Sequence, residues 1–220
     1  MIKKQNYLKH AIVLFLLLLL MQPGRAWAVY ENVEFSSLTN HDGLTNSQVG
    51  AILKDTRGYI WFGTQSGLCR FDGFRMKTFY YSNTDDKSLP NNSVDELQQD
   101  YDGNIWVHTS MGYSIYKYDE EQFDRKSEEW LKNIHVQGPP YKLLIDKDKN
   151  MWIAVYGQGL YYHNAKTRNT YLFKFTKKAQ PGCLKEGNIS KITEVDGYQD
   201  TMDLPMTTRD GYHWEVEMAS

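Results

Sequence analysis

Two acidic runs are the first candidates for chemistry in this sequence of 220 residues. Asp100-x-Asp102-x-Asn104 and Asp146-x-Asp148-x-Asn150 place side-chain oxygens at the spacing that opens a calcium loop. Such a loop also needs glycine at its sixth position and a bidentate glutamate at its twelfth. The sixth positions here are Ile105 and Met151, and the twelfth are Met111 and Gly157. Turn formation accounts for both runs, and no metal site is expected. No G-x-S-x-G, H-E-x-x-H or C-x-x-C occurs, and no G-x-G-x-x-G joins a strand to a helix. His10, His41, His108, His135, His163 and His213 each lack the surroundings of a phosphoacceptor. The reading is a protein without catalytic residues or cofactor. What remains is recognition. Aromatic platforms beside polar groups on connecting loops suit carbohydrates, and Trp130, Tyr156 and His163 are the candidate ligand residues that fit no regular pattern. For each the structural alternative carries more weight, with Trp130 covering the edge of a sheet.

The elements that must position these residues repeat. Asp55-x-x-Gly58-x-Ile60-Trp61 returns as Asp100-x-x-Gly103-x-Ile105-Trp106 and, altered, as Asp146-x-x-Lys149-x-Met151-Trp152. The tryptophans are spaced by 45 and 46 residues. Thr64, Thr109 or Val155 follows three places on, and Gly67, Gly112 or Gly159 follows six, six and seven places on. A short apolar strand precedes each motif, at Val49–Leu53, Val94–Leu97 and Tyr141–Ile145. Ser66-Gly67 and Asp72-Gly73 are hairpin signals, because glycine accepts positive φ without steric cost. Each unit therefore reads as four short strands, the size of one β-propeller blade.

The expected fold is all-β, with about three four-stranded antiparallel blades and a degenerate fourth in an incomplete propeller. The divisions are an N-terminal segment at 29–48 and blades at 49–82, 91–126, 139–176 and 187–220. Trp61, Trp106 and Trp152 should pack between blades, since one blade cannot bury both of its faces. Gly67, Gly112 and Gly159 are read as turn residues. Ser127–Ile134 suits a short helical turn with Trp130 and Ile134 on one side, and Lys177–Asn188 is a connector. Ile189–Ile192 suits the first strand of the fourth blade, but no Ile-Trp-x-Gly-Thr follows Asp196-Gly197. Trp214 stands 62 residues after Trp152 and reads as out of register. Gln199–Ser220 is expected to be largely disordered, and three blades should leave two open faces prone to self-association.

Residues 1–28 have a basic start, an apolar run at Ala11–Met21 and the small-residue site Ala26-Trp27-Ala28. This is the pattern of a secretory signal peptide cleaved after Ala28, which points to the periplasm. An uncleaved anchor through residues 11–21 is the alternative, although the run is short for a span. The leader holds four of the 25 basic residues and none of the 27 acidic ones, so the remainder is acidic by about six charges. Nucleic acid is thereby disfavoured as a partner. Cys69 and Cys183 do not make a disulfide framework. Cys69 reads as a small buried hydrophobe, and a Cys69–Cys183 bridge stays open.

The motifs have a family. Leu44-Thr-Asn-Ser-Gln-Val49, Asp55-x-x-Gly58-x-Ile60-Trp61-Phe62-Gly63-Thr64, Gly67-Leu68 and Phe71-Asp72-Gly73 resemble the two-component regulator propeller repeat. His41-Asp42-Gly43-Leu44-Thr45 is similar to the segment that opens the first blade in such proteins. The resemblance runs over about residues 30–175. It implies the periplasmic sensor part of a hybrid two-component system of the Bacteroidetes type, where family members sense oligosaccharides. It also assigns Glu34–Leu38 to a closing blade. Kinase and receiver motifs of the family are not found in this sequence. The function expected is extracytoplasmic sensing of a ligand, an oligosaccharide by this resemblance, by a truncated relative without its own kinase. The alternatives are a propeller that binds protein partners, and a propeller lyase, which would need a His/Glu or His/Arg pair at the channel.

Overall fold

The computed structural model describes residues 37–176, the strand segments 184–185, 189–195, 206–207 and 213–218, and Phe15. The chain divides into units Met1–Ser37 and Leu38–Ser220, and every element below lies in the second. The leader, its cleavage site, Cys183 and most of Glu34–Leu38 and Lys177–Asn188 fall outside the described residues.

Three successive four-stranded antiparallel sheets form, each in simple meander order. The first holds β1 (Val49–Lys54), β2 (Ile60–Thr64), β3 (Gly67–Phe71) and β4 (Met76–Phe79). The second holds β5 (Val94–Gln99), β6 (Ile105–Thr109), β7 (Gly112–Lys117) and β8 (Gln122–Asp124). The helix α1 (Ser127–Asn133) leads to the third sheet, which holds β9 (Pro140–Ile145), β10 (Met151–Val155), β11 (Gly159–His163) and β12 (Thr170–Thr176). A short β13 (Leu184–Lys185) adds to β12 in parallel.

The repeated aspartate explains why each unit turns where it does. Oδ1 of Asp55 accepts from the backbone N–H groups of Arg57 and Tyr59, at 2.9 and 3.0 Å, which closes the turn between β1 and β2. Oδ2 accepts from the Trp61 indole at 2.7 Å. Asp100 does the same for its own turn and for the Trp106 indole at 2.9 Å. The acidic runs that mimic calcium loops are thus turn chemistry: Asn104 and Asn150 spend their amides on Asp100 and Asp146.

Each tryptophan faces the next sheet. Trp61 lies in a cluster with Leu68 and Phe79 of its own sheet and Leu97, Ile105, Val107, Tyr116 and Phe123 of the second. Trp106 meets Leu143, Met151 and Ile153 of the third, with Leu131, Ile134 and Val136 closing the outer edge. Trp152 lies with Ala154, Leu160 and Tyr162 against Ile189 and Ile192. All three tryptophans are buried. The strands β1, β5 and β9 neighbour one another in series. The Gln98 amide ties β5 to β9, donating to the Leu143 carbonyl at 2.7 Å and accepting from Ile145 N–H at 2.5 Å.

β14 (Ile189–Val195), β15 (Met206–Thr207) and β16 (His213–Met218) form a fourth sheet in the order β14-β16-β15. The rest of Gln199–Ser220, expected to be largely disordered, lies outside the described residues. One sequence expectation is corrected: the backbone of Trp214 is in register within this sheet. Glu194 pairs with Trp214 and Val195 with His213, as Leu144 pairs with Trp152 and Ile145 with Met151. The signal in the sequence was Gly211-x-His213-Trp214, which keeps the glycine and tryptophan of the motif while Thr208 replaces the aspartate. Ile189 and Ile192 of the fourth sheet cover the Trp152 face.

Candidate functional site

Trp130 and His163 come together; Tyr156 lies elsewhere. The helix α1 sets the Trp130 ring edge-on to Trp106, with centroids 5.1 Å apart, and 6.1 Å from Tyr101. Tyr101 in turn lies 5.4 Å from the His163 imidazole. Arg168 stacks over Tyr101 at 3.8 Å and reaches Asp102 at 3.4 Å. Trp130 is half-buried and caps the cluster between the second and third sheets. This is the edge-covering role set against ligand binding in the sequence.

His163 is a core residue. It pairs with Met151 on β10 just as Tyr116 pairs with Ile105 and Phe71 with Ile60, so an imidazole replaces an aromatic ring that receives the preceding sheet. The third turn, Tyr156–Gln158, has three residues where the others have two, and this hides the equivalence in the sequence. Thr170 Oγ1 donates to the Ile134 carbonyl at 2.5 Å, so its oxygen accepts from His163 Nδ1–H at 2.8 Å. The buried Nε2 then carries a lone pair without a hydrogen-bond partner among the described residues. Burial pushes the imidazole below the ordinary histidine range, with Arg168 and, less, His135 adding to the effect and Asp102 opposing it. A depressed folded-state pKa means that the unfolded chain takes up the proton first. Stability contributed here is full above about pH 6.5 and is lost as pH falls below it. The urea midpoint should therefore drop between pH 7.5 and pH 5, and His163→Phe should flatten that dependence. An unchanged slope in the variant would place its origin elsewhere.

Tyr156 is 60% exposed at the tip of the β10–β11 turn. Its ring stacks on Tyr141 of β9, with centroids 4.1 Å apart and planes 24° from parallel. Tyr141 is fixed from behind, its hydroxyl accepting from Ile189 N–H at 2.8 Å. Polar groups cluster on the neighbouring strands. Lys142 meets Glu96 at 2.8 Å, and Glu96 accepts from the Tyr113 hydroxyl at 2.8 Å. His108 Nδ1 lies 2.6 Å from a half-exposed Asp95. The register positions of His108 are Gly63 and Ala154 in the adjoining sheets, so this pair does not recur. Sequence reasoning missed it because Asp95 sits at a β-bulge between Val94 and Glu96, outside the strand alternation.

Among the described residues no three of His, Cys, Asp and Glu gather as a metal site, and no helix is long and apolar enough to cross a membrane. Cys69 is a buried free thiol that accepts from Thr45 N–H at 3.3 Å.

Successive four-stranded meanders with tryptophans between them define an arc of a β-propeller. Residues 43–66 and 88–111 match the model of the two component regulator propeller, and the chain carries repeats of that family. It is similar to Histidine kinase P4 of Formosa agariphila, with 42% identity over 57 residues, 26% of this chain and 4% of that protein. It is also similar to the extracellular domain of a hybrid two component system of B. thetaiotaomicron, at 24% identity and a TM-score of 0.51. That match covers 72% of this chain and 22% of the other. The chain thus spans a small part of each, and the structural likeness speaks for the fold.

Proposed function

We propose that the chain is the ligand-recognising part of an extracytoplasmic sensor, acting in the periplasm after removal of residues 1–28, and that its ligand is an oligosaccharide. The exposed Tyr156 ring carries this reading. A flat aromatic face backed by a second ring offers a sugar an apolar platform without a side chain to be ordered on binding. The carboxylates of Asp95 and Glu96, His108 and Lys142 supply acceptors and donors for hydroxyl groups on the adjoining strands. The similarity to a histidine kinase and to an extracellular domain of a hybrid system supports sensing, with signal output from domains other than these blades. Calorimetry of the mature chain, whose intact mass should begin at Val29, against a panel of oligosaccharides tests it. One class should bind, and Tyr156→Ala should weaken binding by about tenfold, the loss of one stacking contact of ~1.4 kcal/mol. A panel without a binder, or a variant that binds equally, would sink the reading.

A further inference from the structure

The first strands of the three sheets bulge at the same step. Register shifts between Val49 and Ala51 in β1, and between Val94 and Glu96 in β5. In β9 it shifts between Pro140 and Lys142, the partners of Val155 and Ala154. The extra residues are Gly50, Asp95 and Tyr141. A bulged residue leaves the strand alternation, and its side chain is re-aimed. Neighbouring bulges touch: a Cβ on Gly50 would stand 3.2 Å from the Val94 carbonyl oxygen and 3.6 Å from Asp95 Cα. By the same register Asp95 is followed by Tyr141, and the ion pair of Glu96 with Lys142 fastens the residues next to each. Asp95 thus shares one rim with the stacked rings of Tyr141 and Tyr156.

The hydrogen-bonding capacity left open on this rim is one-sided. Glu96 meets Lys142 through Oε1 and accepts from the Tyr113 hydroxyl through Oε2. Lys142 is thereby committed. Asp95 Oδ1 accepts from His108 Nδ1–H. In the neutral ring Nε2 keeps a lone pair, so His108 adds an acceptor and not a cation. Asp95 Oδ2 has no partner among the described residues, on a side chain that is 55% exposed. Lys174 lines a separate groove with His135 and Gln158, to which Tyr156 does not contribute. We infer that the sugar unit bound at this rim is uncharged: its hydroxyl groups donate to Asp95 Oδ2 while its apolar face lies on Tyr156. This rests on the oligosaccharide reading above and narrows it to neutral sugars. A uronate or sulfate group would set a second negative charge beside Asp95 with no cation to offset it, which selects against acidic glycans.

Calorimetry of the full chain at pH 7.5 tests this, with oligosaccharides in matched neutral and uronate forms of equal length and linkage. A neutral member should bind at least tenfold more tightly than its uronate counterpart. Asp95→Asn alters an exposed side chain and should leave the unfolding transition unchanged. It should weaken binding of the neutral sugar about tenfold, the difference between a charged and an uncharged acceptor, and should abolish most of the discrimination. A uronate form bound as tightly as the neutral one would overturn the inference, as would discrimination that survives Asp95→Asn. If Tyr156→Ala still weakened binding in those cases, the oligosaccharide reading would stand without the restriction to neutral sugars. A panel with no binder in either form would overturn both.

Discussion

Trp61→Ala is expected to destabilise the chain by about 3–5 kcal/mol, the usual loss for a large aromatic removed from a core. Trp61 has no exposed surface. Its ring stacks on Phe79 at 5.9 Å and meets the edges of Tyr116 and Tyr118 at 5.0 and 6.1 Å. Truncation would therefore open a void across two sheets at once, where relaxation of one sheet cannot fill it. It also takes one donor from the buried Asp55 carboxylate, which keeps the N–H groups of Arg57 and Tyr59 and the hydroxyl of Tyr118. Ile52→Ala serves as the comparison: the side chain is largely exposed, and its removal should cost less than about 0.5 kcal/mol. Urea denaturation of both variants gives the difference directly. A Trp61→Ala midpoint close to that of the unaltered protein would refute the wedge role of the tryptophan.

Gly159→Ala should be still more damaging, above about 4 kcal/mol, and should leave the third sheet unformed. The residue sits at φ +138, and an added Cβ would lie 2.1 Å from the Phe173 carbonyl oxygen of the paired strand. Neither backbone can withdraw without parting β11 from β12. Gly112 holds the same place in the second sheet at φ +95 with no atom within 4 Å of an added Cβ. Gly112→Ala should cost only the left-handed backbone penalty of about 1–2 kcal/mol. Circular dichroism and urea unfolding of the two variants would separate a steric requirement from a purely conformational one. Equal effects would show that φ alone governs both sites.

The repeat was legible because the parts that recur are held by local chemistry. The aspartate, the glycine and the tryptophan belong to a single turn and its following strand, so their spacing survives in the chain. The seams were less legible, because they pair residues about 45 positions apart and depend on which face of a strand points forward. His163 illustrates this: one added residue in the Tyr156–Gln158 turn shifts it from the column of Phe71 and Tyr116 to an apparently isolated histidine. Trp214 was missed for a related reason. Five residues join β1 to β2, whereas seventeen join β14 to β16, and a fixed period cannot span that difference. Of the candidate ligand residues, Tyr156 could be singled out by composition, but its stacking on Tyr141 brings together positions on two strands and a turn.

The aspartate that closes each turn also bears on the order in which the chain assembles. Asp55 and Trp61 are six residues apart, as are Asp100 and Trp106, so the clasp forms between near neighbours and asks little of the chain in closure entropy. Such contacts can be made while the rest of the polypeptide is still emerging from the ribosome, and each meander then has its own starting point for folding. The β14–β16 pairing must instead close a segment more than three times as long, which costs about 1 kcal/mol more. The sequence there also offers Thr208 in place of the aspartate that would clasp the indole. On these costs the fourth meander is expected to form after the first two, whose clasps are local.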